Sequence, residues 1–237
     1  MFRADKLAVV GQLAAGAAHE IKNPLTAIRS TIQFMYSKKE NEDKELLKGI
    51  IDEVDRINTI VEGLLTFSQP KIAQCEEFNF KELCEELMNL LKSQLQSKDI
   101  AFNLEWNTSK EKYYGDKNQI KQLLLNLSLN SIEAIEKNGT IKIETAFKEN
   151  NSSWADSQGC YEIHFKDSGP GIPDEYRDII FNPFVTTKQT GTGLGLFIAY
   201  GIVKQHIGEI ELKETNNQGT CFKILLPWRH YGKDTPR

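Results

Sequence analysis

Two segments far apart in the chain carry residues whose types and spacing could do chemistry together. Near the start, His19 is followed directly by Glu20. A neutral imidazole has one nitrogen free to attack, and a carboxylate that accepts the proton of the other nitrogen raises its nucleophilicity and fixes its tautomer. Near the end, residues 167–171 and the glycine-rich residues 191–196 could hold a nucleotide and its phosphates. One chain would then carry both a phosphoryl donor site and its acceptor.

The second segment begins with a carboxylate at the end of a predicted strand. Tyr161, Ile163, Phe165 and Asp167 share one parity, so the Asp167 side chain is expected to point toward the core. A buried acid needs a donor partner, and the amino group of an adenine would serve. Glycines in Asp-Ser-Gly-Pro-Gly would permit the turn and the close approach of a ring. Alone, this sequence is a common turn.

Amides line one stripe of a predicted helix further upstream. Asn126, Asn130 and Glu133 occupy positions i, i+4 and i+7, opposite an apolar stripe that includes Leu123 and Leu127. A polar stripe is usually just solvated. A hard oxygen ligand such as an Asn carbonyl nevertheless suits Mg²⁺, which takes much of its shell from water and phosphate.

Glycines precede the last predicted helix, so their backbone N–H groups and the helix N-terminus could receive phosphate oxygens. Lys188 lies three residues before the first of them and could neutralise terminal phosphates. Residues 182–188 would form a mobile lid, with Phe181 and Phe184 packing on the neighbouring layer when it closes. A Gly-x-Gly-x-Gly pattern alone is weak, because it also occurs in plain flexible loops.

The elements that must position these residues follow from periodicity. Apolar or small residues alternate at intervals of four and three from Leu7 to Met35, and the same period returns from Leu47 to Leu64. Two long antiparallel helices are predicted, and pairing two such hairpins into a four-helix dimer would cover their extra apolar positions. His19 follows the seam residue Ala18 by about 100°, so it faces solvent. Pro24 should bend the helix one turn beyond it.

A different pattern begins after the hairpin. A linker to residue 79 is followed by predicted helices over 81–96 and 116–137, the second capped by Asp116. Strands are predicted at 100–106, 141–147, 161–165, 209–214 and 220–226, with a loop over 149–158 and a helix after Gly193. These make a sheet with helices on one face. We therefore predict two domains, 1–70 and 71–237.

Composition excludes several classes of protein. The 237 residues carry a net charge of −4 with both signs interspersed, so nucleic-acid binding is not expected. No apolar run reaches the ~20 residues of a membrane span, so a cytoplasmic location is expected for this sequence, which a membrane-bound or sensory part could precede. The four cysteines show no CxxC spacing, which predicts reduced thiols and neither a metal knuckle nor a disulfide.

Taken together, these motifs resemble those of sensor histidine kinases of bacterial two-component systems over nearly the whole chain. Residues 5–68 resemble the dimerisation and histidine-phosphotransfer hairpin, and residues 76–228 resemble the GHKL-type (Bergerat) α/β sandwich that binds ATP. More narrowly, the chain is similar to the sporulation kinases of spore-forming bacilli. The fold this implies is α plus α/β, a hairpin that forms a four-helix bundle in the dimer, followed by the ATP-binding domain.

The resemblance also implies roles for individual residues. His19 would accept the γ-phosphoryl group, Glu20 would assist it, and Asn23 would orient water for dephosphorylating a response regulator. Asn130 would ligand Mg²⁺ and Asp167 would bind adenine. ATP would be held by the residues that match the family's nucleotide motifs, which are Asn126, Asn130, Asp167, Gly169, Gly171, Phe184, Thr187, Lys188, Gly191, Gly193, Leu194 and Gly195. Implied partners are a second copy of the chain, a response regulator receiver domain and, from the sporulation kinases, a small inhibitory protein.

Two residues depart from the family pattern, and two other classes of protein compete. Glu133 and Ala134 stand where many relatives carry Lys and Tyr, so those contacts with phosphate and ring are in question. ATP hydrolases of the gyrase and MutL type share this fold but place a general-base glutamate where Asn126 stands. An amide cannot take a proton at neutral pH, which favours transfer to an internal acceptor. A degenerate kinase that serves as a dimeric scaffold is the remaining alternative, and nucleotide binding would discriminate.

Overall fold

The computed structural model describes residues 25–26, 28–36, 47–51, 54, 57, 74–108, 110–149, 159–188 and 191–228. The chain divides into two compact units. One comprises Met1–Lys71 and Thr186–Leu194, and the other comprises Ile72–Val185 and Gly195–Arg237.

The first unit contains helical segments at the positions predicted for the hairpin. Residues 28–36 and 47–51 are helical. Ile32 and Val54, both on the predicted seam, are buried, whereas the seam residues Ile28, Met35 and Ile50 are 47%, 43% and 40% exposed in the single chain. The apolar stripe of the hairpin is therefore only partly covered within one copy of the described residues.

The second unit is built from a five-stranded sheet, a two-stranded sheet and three helices. The elements, in chain order, are β1 (Cys75–Asn79), α1 (Phe80–Ser97), β2 (Ala101–Asn107), β3 (Lys112–Asp116), α2 (Lys117–Ala134), β4 (Thr140–Glu149), β5 (Gly159–Asp167), α3 (Gly195–Gln205), β6 (Glu209–Asn216) and β7 (Gly219–Trp228), with a single 3₁₀ turn at Asp174–Tyr176.

The large sheet has the strand order β2-β4-β5-β7-β6, in which β2 and β4 are parallel and the other pairs are antiparallel. The register of β5 and β7 places Asp167 opposite Thr220. The two-stranded sheet pairs β1 with β3 antiparallel. The predicted α/β sandwich is confirmed, with a parallel pair at one sheet edge that alternation alone does not reveal.

The helices cover one face of this sheet because apolar residues fall on one face of each strand and on one face of each helix. On β5, Tyr161, Ile163 and Phe165 are fully buried. On α2, Leu123 and Leu127 are buried at the spacing of one helix face. Burial of such apolar area is the main stabilising contribution to the domain.

The other face of the sheet carries a network of ion pairs. Lys142 contacts Glu105 at 2.8 Å and Glu144 at 2.7 Å, and Lys166 contacts the second oxygen of Glu144 at 2.6 Å. Hydrogen bonds from Lys142 and then Lys166 lower the pKa of Glu144 to about 2. This outer face is therefore a polar surface spanning three strands.

The start of α2 follows the predicted capping chemistry, whereas its end differs from the prediction. Asp116 Oδ1 accepts the backbone N–H groups of Asn118 at 3.0 Å and Gln119 at 3.1 Å, as predicted for the start of α2. The helix ends at Ala134 and not at residue 137, because Ile135 turns to an extended ψ of 125°.

Two short strands were not predicted. β1 lies inside the segment expected to be a linker up to residue 79, and β3 lies directly before the cap of α2. Their pairing is nonlocal, which hides it from a reading of local periodicity. Among the residues that the structure describes, no helix has the length and apolar character needed to cross a membrane.

Candidate nucleotide-binding site

The Asp167 carboxylate lies at the end of β5, on the buried face of the sheet. Its Oδ2 accepts the hydroxyl of Ser131 at 2.9 Å, and its Oδ1 accepts the backbone N–H of Gly169 at 2.9 Å. Burial raises the pKa of Asp167, against the opposing effect of hydrogen bonds from Gly169, Ser131 and the Thr220 backbone. A carboxylate accepts at about four lone-pair positions, so a further donor such as an adenine amino group fits its chemistry.

Two glycines shape the turn after Asp167. A Cβ on Gly169 would lie 3.0 Å from Asp167 Oδ1 and 3.4 Å from the Ala134 Cβ, so a side chain there would crowd both the carboxylate and the end of α2. Gly171 has a φ of +80°, and a Cβ there would collide with the backbone oxygen of Asn216. Both positions therefore favour glycine, one for its close approach and one for its backbone conformation.

The amide stripe of α2 lies where the sequence predicts it. The Nδ2 atom of Asn126 is buried and has no hydrogen-bond partner among the described residues. Asn130 lies one turn further along, and its Nδ2 would be 3.2 Å from a Cβ on Gly195, the first residue of α3. The N-terminus of α3 therefore lies beside the Asn130 amide, where unpaired backbone N–H groups and the helix dipole favour an anion.

These observations fit a nucleotide. The Asp167 carboxylate keeps lone pairs for a further donor, and any side chain at residue 195 would crowd the Asn130 amide beside the N-terminus of α3. The buried Asn126 Nδ2 atom, like buried polar atoms of Trp106, Gln119 and Ser128, has no hydrogen-bond partner among the described residues, and an ordered water would satisfy such an atom.

The remaining predicted ATP contacts do not all belong to this unit. Phe181 packs on Tyr200 and Phe222, with ring centroids 5.5 Å and 6.1 Å away, whereas Phe184 is 56% exposed at a φ of +65°. The structure groups five predicted contacts with the first unit, namely Thr187, Lys188, Gly191, Gly193 and Leu194.

Local geometry in that segment explains one of its glycines. The Lys188 backbone N–H donates to Thr186 Oγ1 at 3.1 Å, and Gly191 N–H donates to the Lys188 carbonyl at 3.4 Å. Gly193 has a φ of +66°, which L side chains rarely adopt.

The predicted catalytic residues His19, Glu20 and Asn23 lie outside the described residues.

Sequence reasoning missed two residues that contact Asp167. Ser131 follows Asn130 on α2 and is buried, which places it between the amide stripe and the core. Thr220 is the register partner of Asp167 on β7 and is also buried. The position of Ser131 directly after a predicted metal ligand could have indicated its contact with the site from the sequence alone. The Thr220 contact could not, because it depends on strand pairing.

The fold of the second unit and the residues around Asp167 define the class as an ATP-binding domain of the GHKL type. Residues 115–230 match the family described as "Histidine kinase-, DNA gyrase B-, and HSP90-like ATPase", and residues 9–71 match the "His Kinase A (phospho-acceptor) domain". The chain belongs to the histidine kinase family.

Two relatives and two solved structures illustrate the likeness. The chain is 34% identical over 236 residues to the signal transduction histidine-protein kinase AtoS of Escherichia coli, covering 99% of this chain and 38% of AtoS. It is 35% identical over 228 residues to sporulation kinase A of Bacillus subtilis, covering 96% of this chain and 36% of that protein. The chain thus spans little more than a third of either relative.

Solved structures agree with this assignment. The catalytic domain of histidine kinase ThkA is 34% identical, with a TM-score of 0.56, and the match covers 66% of this chain and 97% of that one. ThkA in complex with the response regulator protein TrrA is 32% identical, with a TM-score of 0.64, and covers 94% of this chain and 63% of that one.

Proposed function

We propose that this chain transfers the γ-phosphoryl group of ATP to His19 and then to an aspartate of a response regulator. The observation that carries the proposal is the hydrogen-bonded Asp167 carboxylate at the end of β5, which lies on the same domain as the Asn130 amide and the N-terminus of α3. That domain follows a segment matching a phospho-acceptor family. ATP supplies the activated phosphoryl group, and the protein supplies binding and orientation.

Each residue in the pocket has a separate task in this proposal. Asp167 would accept a hydrogen bond from adenine, and its contacts with Ser131 and Gly169 hold the carboxylate in place for it. The Asn130 side-chain oxygen would ligand Mg²⁺, and Asn126 would line the same pocket. Since Asn126 is an amide, it cannot activate water as a general base, so we propose transfer to a protein acceptor in preference to hydrolysis.

The acceptor residues act through histidine chemistry. The His19 imidazole would attack with one nitrogen while Glu20 accepts the proton of the other, which orients the ring. Asn23 would orient a water molecule for dephosphorylating the response regulator, giving the chain phosphatase activity. Lys188, with the glycines of its segment, would contact the phosphates.

A homodimer is part of the proposal, held mainly by residues 5–68 within a domain that we place at 1–70. Three seam residues of the hairpin are 40% or more exposed in the single chain, and a second hairpin would cover them. The catalytic domain would occupy 71–237. Because β1 occupies Cys75–Asn79, the segment predicted to be a linker up to residue 79 ends in a strand of this domain.

The proposed receiver partner is supported by a relative. ThkA, which is 32% identical to this chain, has been solved in complex with the response regulator protein TrrA. A place in a sporulation phosphorelay, with a small protein inhibitor, remains a prediction. Sporulation kinases A, E and C of Bacillus subtilis are 35%, 32% and 32% identical, but AtoS is 34% identical, so sequence identity does not single out a sporulation kinase. The narrower expectation from the sequence, a similarity to sporulation kinase B in particular, also remains a prediction.

Incubation with γ-labelled ATP and Mg²⁺ tests the central proposal. We expect label that is lost in acid and retained in base, as for phosphohistidine, and we expect none in His19→Gln, which should still bind ATP. Label at the wild-type level in His19→Gln would refute the acceptor assignment. A wild-type protein that neither binds ATP nor becomes labelled would favour the scaffold alternative.

Transfer to a partner needs its own experiment. Pre-labelled protein stripped of nucleotide should pass its phosphoryl group to a purified receiver domain, because the receiver needs no ATP. Residues 1–70, labelled in trans by the other domain, should do the same. If the full chain serves a receiver that the labelled hairpin cannot, docking requires the catalytic domain and this part of the proposal is wrong.

A further inference from the structure

The last turn of α2 is capped by a lysine from elsewhere in the chain. The helix has no basic residue of its own in that turn. Lys98, which follows α1, donates from Nζ to the carbonyl oxygens of Ile132 at 2.6 Å and Ile135 at 2.8 Å, with Glu133 at 3.4 Å. The final carbonyls of a helix lack partners within the helix, and a cation there also complements the helix dipole.

The backbone at Lys98 is tied to the adjoining turn as well. The Lys98 carbonyl accepts the N–H of Asn138 at 3.0 Å, and the Gly139 carbonyl accepts the N–H of Ala101 at 2.9 Å. The next residue along, Thr140, donates its N–H to Ser168 Oγ at 2.8 Å and accepts the Ser168 N–H at 3.0 Å. Lys98 is therefore joined by main-chain contacts to the turn that follows Asp167.

The same last turn of α2 contacts the nucleotide site directly. Ser131 donates its hydroxyl to Asp167, and a Cβ on Gly169 would lie 3.4 Å from the Ala134 Cβ. Both contacts come from the turn whose carbonyls bind the Lys98 ammonium. The amides proposed to serve the phosphate side, Asn126 and Asn130, lie further toward the start of α2.

We propose that Lys98 is a positioning residue for the adenine end of the pocket. Its ammonium holds the last turn of α2 so that Ser131 and the turn at Gly169 meet the Asp167 carboxylate in the geometry that binds the base. This inference rests on the proposed ATP site. It assigns a role in recognition to a residue that contacts neither nucleotide nor metal and lies outside every motif identified from the sequence.

The position of Lys98 sets what its removal should affect. Without the ammonium, three carbonyl oxygens at the helix end lose their donor, and the turn bearing Ser131 loses its restraint. Binding of every adenine nucleotide should then weaken by the same factor, with or without Mg²⁺, because the adenine contact is common to all of them. Loss of a phosphate-side residue would instead change the ratio of Mg-ATP to Mg-free ADP affinity.

The experiment compares matched variants of the full chain by calorimetry with Mg-ATP and with Mg-free ADP. Lys98→Met should weaken both by about tenfold, the effect expected if the charge-assisted hydrogen bond between Asp167 and the base is weakened. Lys98→Arg should restore most of the affinity, since it retains a cationic donor. The control is Lys121→Met, the same substitution on α2, where an exposed ion pair with Glu86 at 3.1 Å is lost and binding should not change.

A double-mutant cycle separates positioning from general destabilisation. If Lys98 acts through Ser131, the affinity loss in Lys98→Met with Ser131→Ala should be smaller than the product of the two single losses. A double-variant loss equal to that product would overturn the inference. So would an unchanged nucleotide affinity in a folded Lys98→Met variant. A wild-type chain that binds neither nucleotide would overturn the proposed function, so the two failures are distinguishable.

Discussion

Replacing Asp167 with Asn should change nucleotide binding and the stability of the free domain in different directions. Burial raises the pKa of Asp167, so the folded state disfavours its charged form at neutral pH. For an acid with a raised folded-state pKa, stability is greatest below its ordinary pKa and falls as pH rises through the folded-state value. Near pH 7 the charge is thus a cost to the free domain, and an isosteric neutral amide should leave the domain at least as stable.

Binding should respond in the opposite sense. An amide can still accept from Gly169 and can donate to the Ser131 hydroxyl, but it then presents a donor in place of a lone pair to the adenine amino group. A hydrogen bond to a charged group contributes about 1.5–3 kcal/mol, so ATP affinity should fall by about 10- to 150-fold.

Thermal unfolding with and without ATP measures both effects at once. At an ATP concentration of about 100 times Kd, the wild-type domain should gain about 2.7 kcal/mol, or roughly 5–11 °C for a domain of this size. A hundredfold weaker variant should gain about 0.4 kcal/mol, a shift near 1 °C. Asp178→Asn, the same change at an exposed position after the 3₁₀ turn, should retain the full shift.

Two results would show the reasoning to be wrong. A wild-type ATP shift in Asp167→Asn would mean that this carboxylate does not bind the base. A free Asp167→Asn domain that unfolds well below the wild type at pH 7 would mean that the charge stabilises the fold, and the loss of binding could then follow from unfolding alone.

Three further outcomes are expected. Gly195→Ala should weaken Mg-ATP binding more than Mg-free ADP binding in calorimetry, because its Cβ would lie 3.2 Å from Asn130 Nδ2; an equal loss would refute this placement of the metal ligand. Glu144→Gln should be less stable than wild type in urea at pH 7, and the difference should shrink as pH falls from about 4.5 toward 2, the window set by its lowered pKa; a constant difference would contradict the ion-pair account. Residues 5–68 alone should sediment as a dimer at micromolar concentration, and a monomer would refute the four-helix arrangement.

Local chemistry made much of the catalytic domain predictable. Strand parity placed Asp167 on the buried face, and helical spacing placed Asn126 and Asn130 on one stripe, because both patterns are set by backbone geometry. The N-cap at Asp116 was predictable for the same reason, since its partners are two and three residues away.

Contacts between distant segments were not predictable in this way. The β1–β3 pair joins residues about 35 positions apart, and Lys98 reaches carbonyls more than 30 residues further along. No periodicity encodes such pairings, since they depend on where the elements dock. The assignments at His19, Glu20 and Asn23 lie outside the described residues and stay predictions.

The charged outer face of the sheet offers a practical route to watching this domain work. Lys166 directly precedes Asp167 on β5, so its side chain projects from the opposite side of the same strand, where it forms an ion pair with Glu144. A fluorophore attached at a cysteine there would lie on the opposite side of the sheet from the proposed adenine contact at Asp167. Of the native thiols, Cys84, Cys160 and Cys221 are buried, so Cys75→Ser would remove the exposed competitor and leave a single attachment point for reporting nucleotide exchange in real time.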